Sequence, residues 1–358
     1  MTHTFLLSSD KNTMYFVILI TLTLANLHAE IIGGINAGTL RKKALEDLCQ
    51  HETDLTNQMP AIQDQGEFYF CYAFAATAVY HQYACKHKSP LCHAGPSVLD
   101  AVDQSGGISD QKNSLGTKKV SDYINDGGMS SVTLRRLNEN GICPEKFAPY
   151  PSEYFKNYSG TTPFAIEQVI NFYNKYHEKN DQEAKMCHDA DRLTKMLLGN
   201  DHSSPDEVTR LIIHLKKVFE YENPLTFLRD TMVFNECKEN RQKVPPYDVK
   251  KILNGEISMK GYDTELYTQV FSQLKSGKAL AFNIETSLAF PDIPSSLLDG
   301  NQSHALAVIG NKFIDGKCYL KVQNSWGESW QNQHNNGWLD AEVFLQATQD
   351  VTWIEEKL

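Results

Sequence analysis

The sequence predicts an α+β fold on three observations: an Ala-rich apolar run at Cys71 to Ala84, a charged block of helical period between Tyr150 and Tyr262, and short strand-like runs confined to the last third. A mostly helical part followed by a mostly strand part leaves a groove between two lobes. The 358 residues are 41% hydrophobic and 22% charged, a globular composition with a sizeable core. The net charge of −10, without a run of five like charges, argues against a nucleic-acid partner.

Taken in chain order, Tyr15 to Leu27 is the longest apolar stretch, too short for a bilayer of ~30 Å, with Lys11 before it and Ala29 after it. It reads as a secretory signal peptide over 1–29, so the product is expected to be exported, secreted or periplasmic rather than lysosomal, with no membrane span. Residues 30–57 form a lead-in whose periodic piece is Leu40 to Cys49. Cys71 to Ala84 is apolar almost all round, the mark of a helix buried inside a lobe, here 58–160. Ser130 to Asn140 is helical with Gly141 as its stop. The block 161–246 is a helical insertion: Thr162-Pro163 opens a helix with Ile166, Val169, Ile170 and Tyr173 on one face. Ser204-Pro205-Asp206-Glu207 caps another, with the stripe Val208, Leu211, Ile212, Leu215 and Phe219. Residues 247–358 carry a helix at Thr264 to Leu274 and strands at Ala279 to Ile284, Ala305 to Ile309 and Cys318 to Val322.

The eight cysteines suit an oxidising compartment, and no CxxC, HExxH, GxSxG, Walker A or GxGxxG is present, so no metal or cofactor is expected. Cys85 and Cys92, with Pro90 between them, are expected to form a short-loop disulfide. Cys187 with Cys237 is a weaker pairing, and Cys318 is expected free and buried on a strand face.

Four separated residues can be read as one site. Cys71 begins the buried helix, where the dipole and free N–H groups favour a thiolate. His304 opens a strand and can hold the proton. Asn324, past the next strand, can accept the other ring N–H. Gln65 can supply an amide N–H to an oxyanion, together with the Cys71 backbone.

In these stretches the sequence resembles the papain family of cysteine peptidases: Gln65 to Phe74, Asp126-Gly127-Gly128, Gly141-Ile142-Cys143-Pro144 with Pro149-Tyr150, Ser303-His304-Ala305, Asn324-Ser325-Trp326-Gly327 and Gly337-Trp338. The resemblance implies a papain-like two-lobed fold, a helical lobe and an antiparallel β lobe around an active-site groove. It implies Cys71 as nucleophile, His304 as acid and base, Asn324 as orienter and Gln65 in the oxyanion hole. Gly127 and Gly128 would pair with bound peptide, Ser303 would lie beside the substrate, and Trp326 would shield the His304–Asn324 hydrogen bond. Phe68 and Asn125 stand where the family usually has a bridging pair of cysteines, and Tyr72 stands for the common Trp.

The family spacing of about 130 to 150 residues from Cys to His and Asn is exceeded here by roughly 100, the size of the inserted block. Only residues 30–64 separate the signal from Gln65, too few for a family-type propeptide, and the block is expected to restrain access to the groove instead, the alternative being a subdomain remote from the cleft. The expected activity is peptide-bond hydrolysis through an acyl-enzyme thioester, on a peptide or protein substrate. The alternatives are a silent papain-like protein that binds peptides or a partner, and a thioester transamidase. The sequons at Asn157 and Asn301 favour a compartment without glycosylation, because a glycan at Asn301 would crowd His304.

Overall fold

The computed structural model describes residues 43, 45–66, 69–108, 127–148, 150, 164–177, 183–198, 205–233, 235–254, 264–290 and 303–357. The signal segment, Phe68, Asn125, Asn157 and Asn301 lie outside them. The fold is α+β. Its sheet is antiparallel, with strands β1 (Thr53–Asp54), β2 (Tyr247–Leu253), β3 (Leu280–Glu285), β4 (Ser303–Ile314), β5 (Lys317–Gln323), β6 (Trp338–Asp340) and β7 (Thr348–Glu356). The order is β2-β7-β3-β4-β5-β6, with β1 on β4.

Alternation along β3 and β4 separates two cores. Ala279, Ala281, Ala305, Ala307 and Ile309 belong to one, whereas Leu280, Phe282, Ile284, Leu306 and Val308 belong to the other. The first face is small because it receives helix α1 (Cys71–Lys86), whose own Ala73, Ala75, Ala76 and Ala78 let backbone approach backbone. Every residue from Tyr72 to Ala84 is buried, as an apolar run without a polar face requires. Gln82 fastens the helix to the turn before β3: its Nε2 donates to the Gly277 carbonyl at 2.9 Å, and its Oε1 accepts from Ala279 N–H at 3.4 Å. The larger face is covered by Leu266, Val270, Phe271 and Leu274, from a helix at Thr264–Lys275.

Four further helices matter below: α2 (Leu91–Ala94), α3 (Val98–Gln104), α4 (Ser130–Asn140) and α5 (Phe164–Tyr176). Gly141 stops α4 at φ +75°, a left-handed value that a side chain resists. Within the inserted block, α5 buries Val169, Ile170 and Tyr173 as its period predicts. The helices α6 (Glu183–Leu198), α7 (Pro205–Lys216), α8 (Pro224–Met232) and α9 (Asn235–Glu239) follow it. On α7, Pro205 takes the first helical position and Leu211 and Leu215 are buried. Phe219 departs from the expected stripe: α7 ends at Lys216, a tighter turn over Val218–Glu220 shifts the phase, and Val218 is buried while Phe219 is 50% exposed.

The block packs on itself, through Phe172, Tyr173, His214 and Tyr221 around Phe227. It is tied to α3 and to residues 141–143. Arg229 pairs with Asp103 at 2.6 Å, Arg241 with the fully buried Asp100 at 2.5 Å, and Ile142 and Gln242 exchange backbone hydrogen bonds.

The disulfides correct two expectations. Cys85–Cys92 forms as predicted, bridging the end of α1 to α2. Cys237 pairs with Cys143 rather than Cys187, because the Ile142–Gln242 bridge draws those two chain segments together, and Cys187 on α6 is free. Cys318 is buried as predicted but not free: it pairs with Cys49 of the lead-in, where Leu45 packs into the β-lobe core. Three disulfides fit an extracellular or lumenal protein. No helix among the described residues is long and apolar enough to cross a membrane.

Candidate active site

Cys71 is the first residue of α1, half-buried and free. At a helix start the first N–H groups lack helical acceptors, and those of Cys71 and Tyr72, with the N–H of Ala305 on β4, are directed to its sulfur. Burial nevertheless pushes the thiol up, outweighing these three donors. The helix-start donors expected from the sequence are therefore present, and burial opposes them. His304, on β4, is 6% exposed, and burial lowers it to about 4 against the raising effect of Asn324. Among the described residues no hydrogen bond joins Cys71 to His304.

His304 and Asn324 meet as predicted: Nε2 lies 2.7 Å from Asn324 Oδ1, so the ring N–H donates there and Nδ1 is left for proton exchange. Asn324 Oδ1 also accepts from Ser325 N–H at 2.8 Å. Trp326 stacks on the imidazole with centroids 4.4 Å apart, which covers the His304–Asn324 hydrogen bond. Trp330 meets Trp326 edge-on at 5.6 Å, and Phe290 packs against both.

Gln65 is brought to the same place by a short backbone bridge that the sequence reading missed. Gln65 N–H donates to the Ser325 carbonyl at 2.7 Å, and Gly327 N–H donates to the Gln63 carbonyl at 3.2 Å. Ser325 Oγ donates to Gln65 Oε1 at 2.6 Å, and Tyr150 OH donates to the Gln65 carbonyl at 2.9 Å. With its oxygen occupied, the Gln65 amide presents Nε2 as its remaining group. Ser325 was legible only as part of the Asn-Ser-Trp-Gly run, and Tyr150 only as part of the Pro149-Tyr150 pair, without a role of its own.

Gly128 abuts Tyr72: an added Cβ would stand 2.7 Å from the ring, and one on Gly107 would stand 2.5 Å from its hydroxyl. The two glycines thus make the slot for the tyrosine next to Cys71. Gly127 has φ +96° with open space around it, so its demand is conformational. Ser303 is exposed at the start of β4, with Oγ donating to Gln349 Oε1 at 3.1 Å. On the sheet, Asn283 stands in register between Ala305 and Asp350, and its Nδ2 donates to both carboxylate oxygens of Asp350 at 3.0 and 3.1 Å. Lys251 pairs with the same carboxylate at 3.0 Å, giving that end of the sheet a polar row.

No family model and no curated protein matches the chain. Among solved structures it is similar to digestive procathepsin L 3 of Tenebrio molitor larval midgut, at 12% identity and TM-score 0.45, over 86% of this chain and 70% of that one. It is similar to a recombinant stem bromelain precursor, at 13% and 0.44 over 88% and 73%. It is likewise similar to bromelain from Ananas comosus in complex with the E64 inhibitor, at 13% and 0.43 over 86% and 99%. Scores below 0.5 decide nothing by themselves. The chain's own layout is a buried helix headed by Cys71 against an antiparallel sheet that carries His304 and leads to Asn324, the arrangement that the resemblance to the papain family implies.

Proposed function

We propose that this protein is an exported cysteine peptidase. The observation that carries the reading is the His304–Asn324 hydrogen bond under Trp326, with Cys71 at the helix start and its sulfur against Ala305 N–H. His304 Nδ1 takes the Cys71 proton as sulfur attacks the substrate carbonyl. The oxyanion is held by Gln65 Nε2 and the Cys71 N–H. Collapse breaks the peptide C–N bond, and the imidazolium returns its proton to the leaving amine. A water that gives its proton to the same ring then attacks the thioester, the C–S bond breaks to release the acid, and the imidazolium returns the proton to the Cys71 sulfur. Asn324 accepts from Nε2 throughout and adds no charge. Gly127, Gly128, Ser303 and Trp326 line the groove, and the inserted block is a distinct helical unit anchored on α3.

The test is cleavage of a peptide library by the chain without residues 1–29, with Cys71→Ala as control. Cleavage by the parent and none by the control is expected. Equal cleavage by both removes Cys71 from the mechanism, and no cleavage by either, with retained peptide binding, identifies a silent binding protein. Product analysis with an added amine distinguishes hydrolysis from transfer.

A further inference from the structure

The segment after Asn324 holds an amide that the site described above does not use. Gln331 lies in the short helix at Gly327–Gln333 and is 5% exposed. Its Oε1 accepts the Asn324 backbone N–H at 3.3 Å, and its Nε2 donates to the Val322 carbonyl at 2.5 Å. One side chain thus takes the acceptor before Gln323 and the donor after it, the pattern made by a residue on a parallel neighbouring strand. The backbone neighbour, β6, pairs with β5 only at Tyr319, Leu320 and Lys321. Beyond Lys321 the Gln331 amide takes the next place in the ladder. Gly337 makes room, since a Cβ there would collide with Gln331 Nε2 and the Val322 carbonyl oxygen.

The rung matters because of what Asn324 lacks. Its Oδ1 serves His304 and Ser325, while its Nδ2 is buried with no hydrogen-bond partner among the described residues. No described residue grips the nitrogen side of that amide, so its orientation rests on the contacts of its oxygen and on the backbone that bears it. We infer that Gln331 is a positioning residue: its amide sets the backbone at Asn324, and through Asn324 the tautomer and tilt of His304. The inference rests on the peptidase reading for its effect on turnover, but its effect on Cys71 and His304 needs no substrate.

Three variants test it in the full chain without residues 1–29. Gln331→Ala removes both bonds. Gln331→Glu keeps the shape and loses the donor to Val322, and Gln331→Asn is too short to span both partners. The measurements are kcat and KM on a cleaved peptide, and the pH profile of Cys71 alkylation by iodoacetamide, with Cys187→Ser as background. A fall in kcat of about 10- to 100-fold with KM within about two-fold is expected, as for a misplaced reacting group. The alkylation profile should move as it does in Asn324→Ala, and Asn324→Ala with Gln331→Ala should be no slower than Asn324→Ala alone. Losses that multiply in the double variant, or variants that lower only the melting temperature, overturn the inference. Should Gln331→Ala not fold, Gln331→Glu decides on the same readouts. If no peptide is cleaved by the parent but the profile still moves, the peptidase reading fails and the positioning role stands. If peptides are cleaved and the profile stays put, the positioning role alone fails.

Discussion

Replacing Trp326 by Ala should raise the titration midpoint of His304. Burial is the cause that holds the ring at about 4 rather than 6.5, a difference worth about 3 kcal/mol in favour of the neutral form. Trp326 stacks on one face of the imidazole at 4.4 Å, so its removal admits water to that face while leaving the Asn324 acceptor in place. A rise of at least about one pH unit, roughly 1.4 kcal/mol, is expected. The assay is NMR titration of the imidazole in a Cys71→Ala background, which keeps a thiolate from contributing, with His304→Gln for assignment. The same group couples to stability. Because the folded midpoint lies below the unfolded one, its contribution is present above pH 6.5 and is lost as pH falls from 6.5 towards 4. Urea midpoints across that window should fall less steeply in Trp326→Ala than in the parent. A midpoint that stays put or moves down in Trp326→Ala refutes the assignment of Trp326 as the cover over His304.

Gly128→Ala should destabilise by about 1–3 kcal/mol, because the new methyl meets a Tyr72 ring that is 1% exposed and hemmed by Gly107. Gly127→Ala, with space but φ +96°, should cost about 1 kcal/mol, both read by urea unfolding. Removing Cys143–Cys237, which closes a separation of 94 residues, should cost about 4–5 kcal/mol, against about 2–3 for Cys85–Cys92 with its separation of 7; equal losses would contradict the loop-entropy account. Alkylation of the native protein without reductant should add two groups, at Cys71 and Cys187, and mass spectrometry of Cys71→Ala should find one.

Much of the site was legible because its residues sit in locally distinctive surroundings: Cys71 heads an apolar Ala-rich run, and His304 and Asn324 flank strands of clear alternation. Helix α4 was equally plain, since Gly141 ends it with a conformation suited to glycine. What escaped depends on partners distant in sequence. Thr348–Glu356 carries alternating Val351 and Trp353, but Asp350 and Glu355 obscure the pattern until Asn283, Lys251 and Lys278 are seen to satisfy them. Cys49 and Cys318 gave no local sign of each other, and β2 is half-exposed along its length. The burial that opposes a thiolate at Cys71 escaped for a related reason: the helix start is visible in sequence, whereas the burial of the sulfur depends on tertiary packing.

The Cys49–Cys318 bond encloses both Cys71 and His304 within a covalent ring whose ends are 269 positions apart. A single backbone cut anywhere inside that ring yields two peptides that still migrate as one molecule until a reductant separates them. A cut between Cys143 and Cys237 is spanned a second time by their own bond. In an environment containing proteinases, nicking of this chain would therefore not release its parts. After a cut between them, Cys71 and His304 would reside on different peptides and still be held in one folded body.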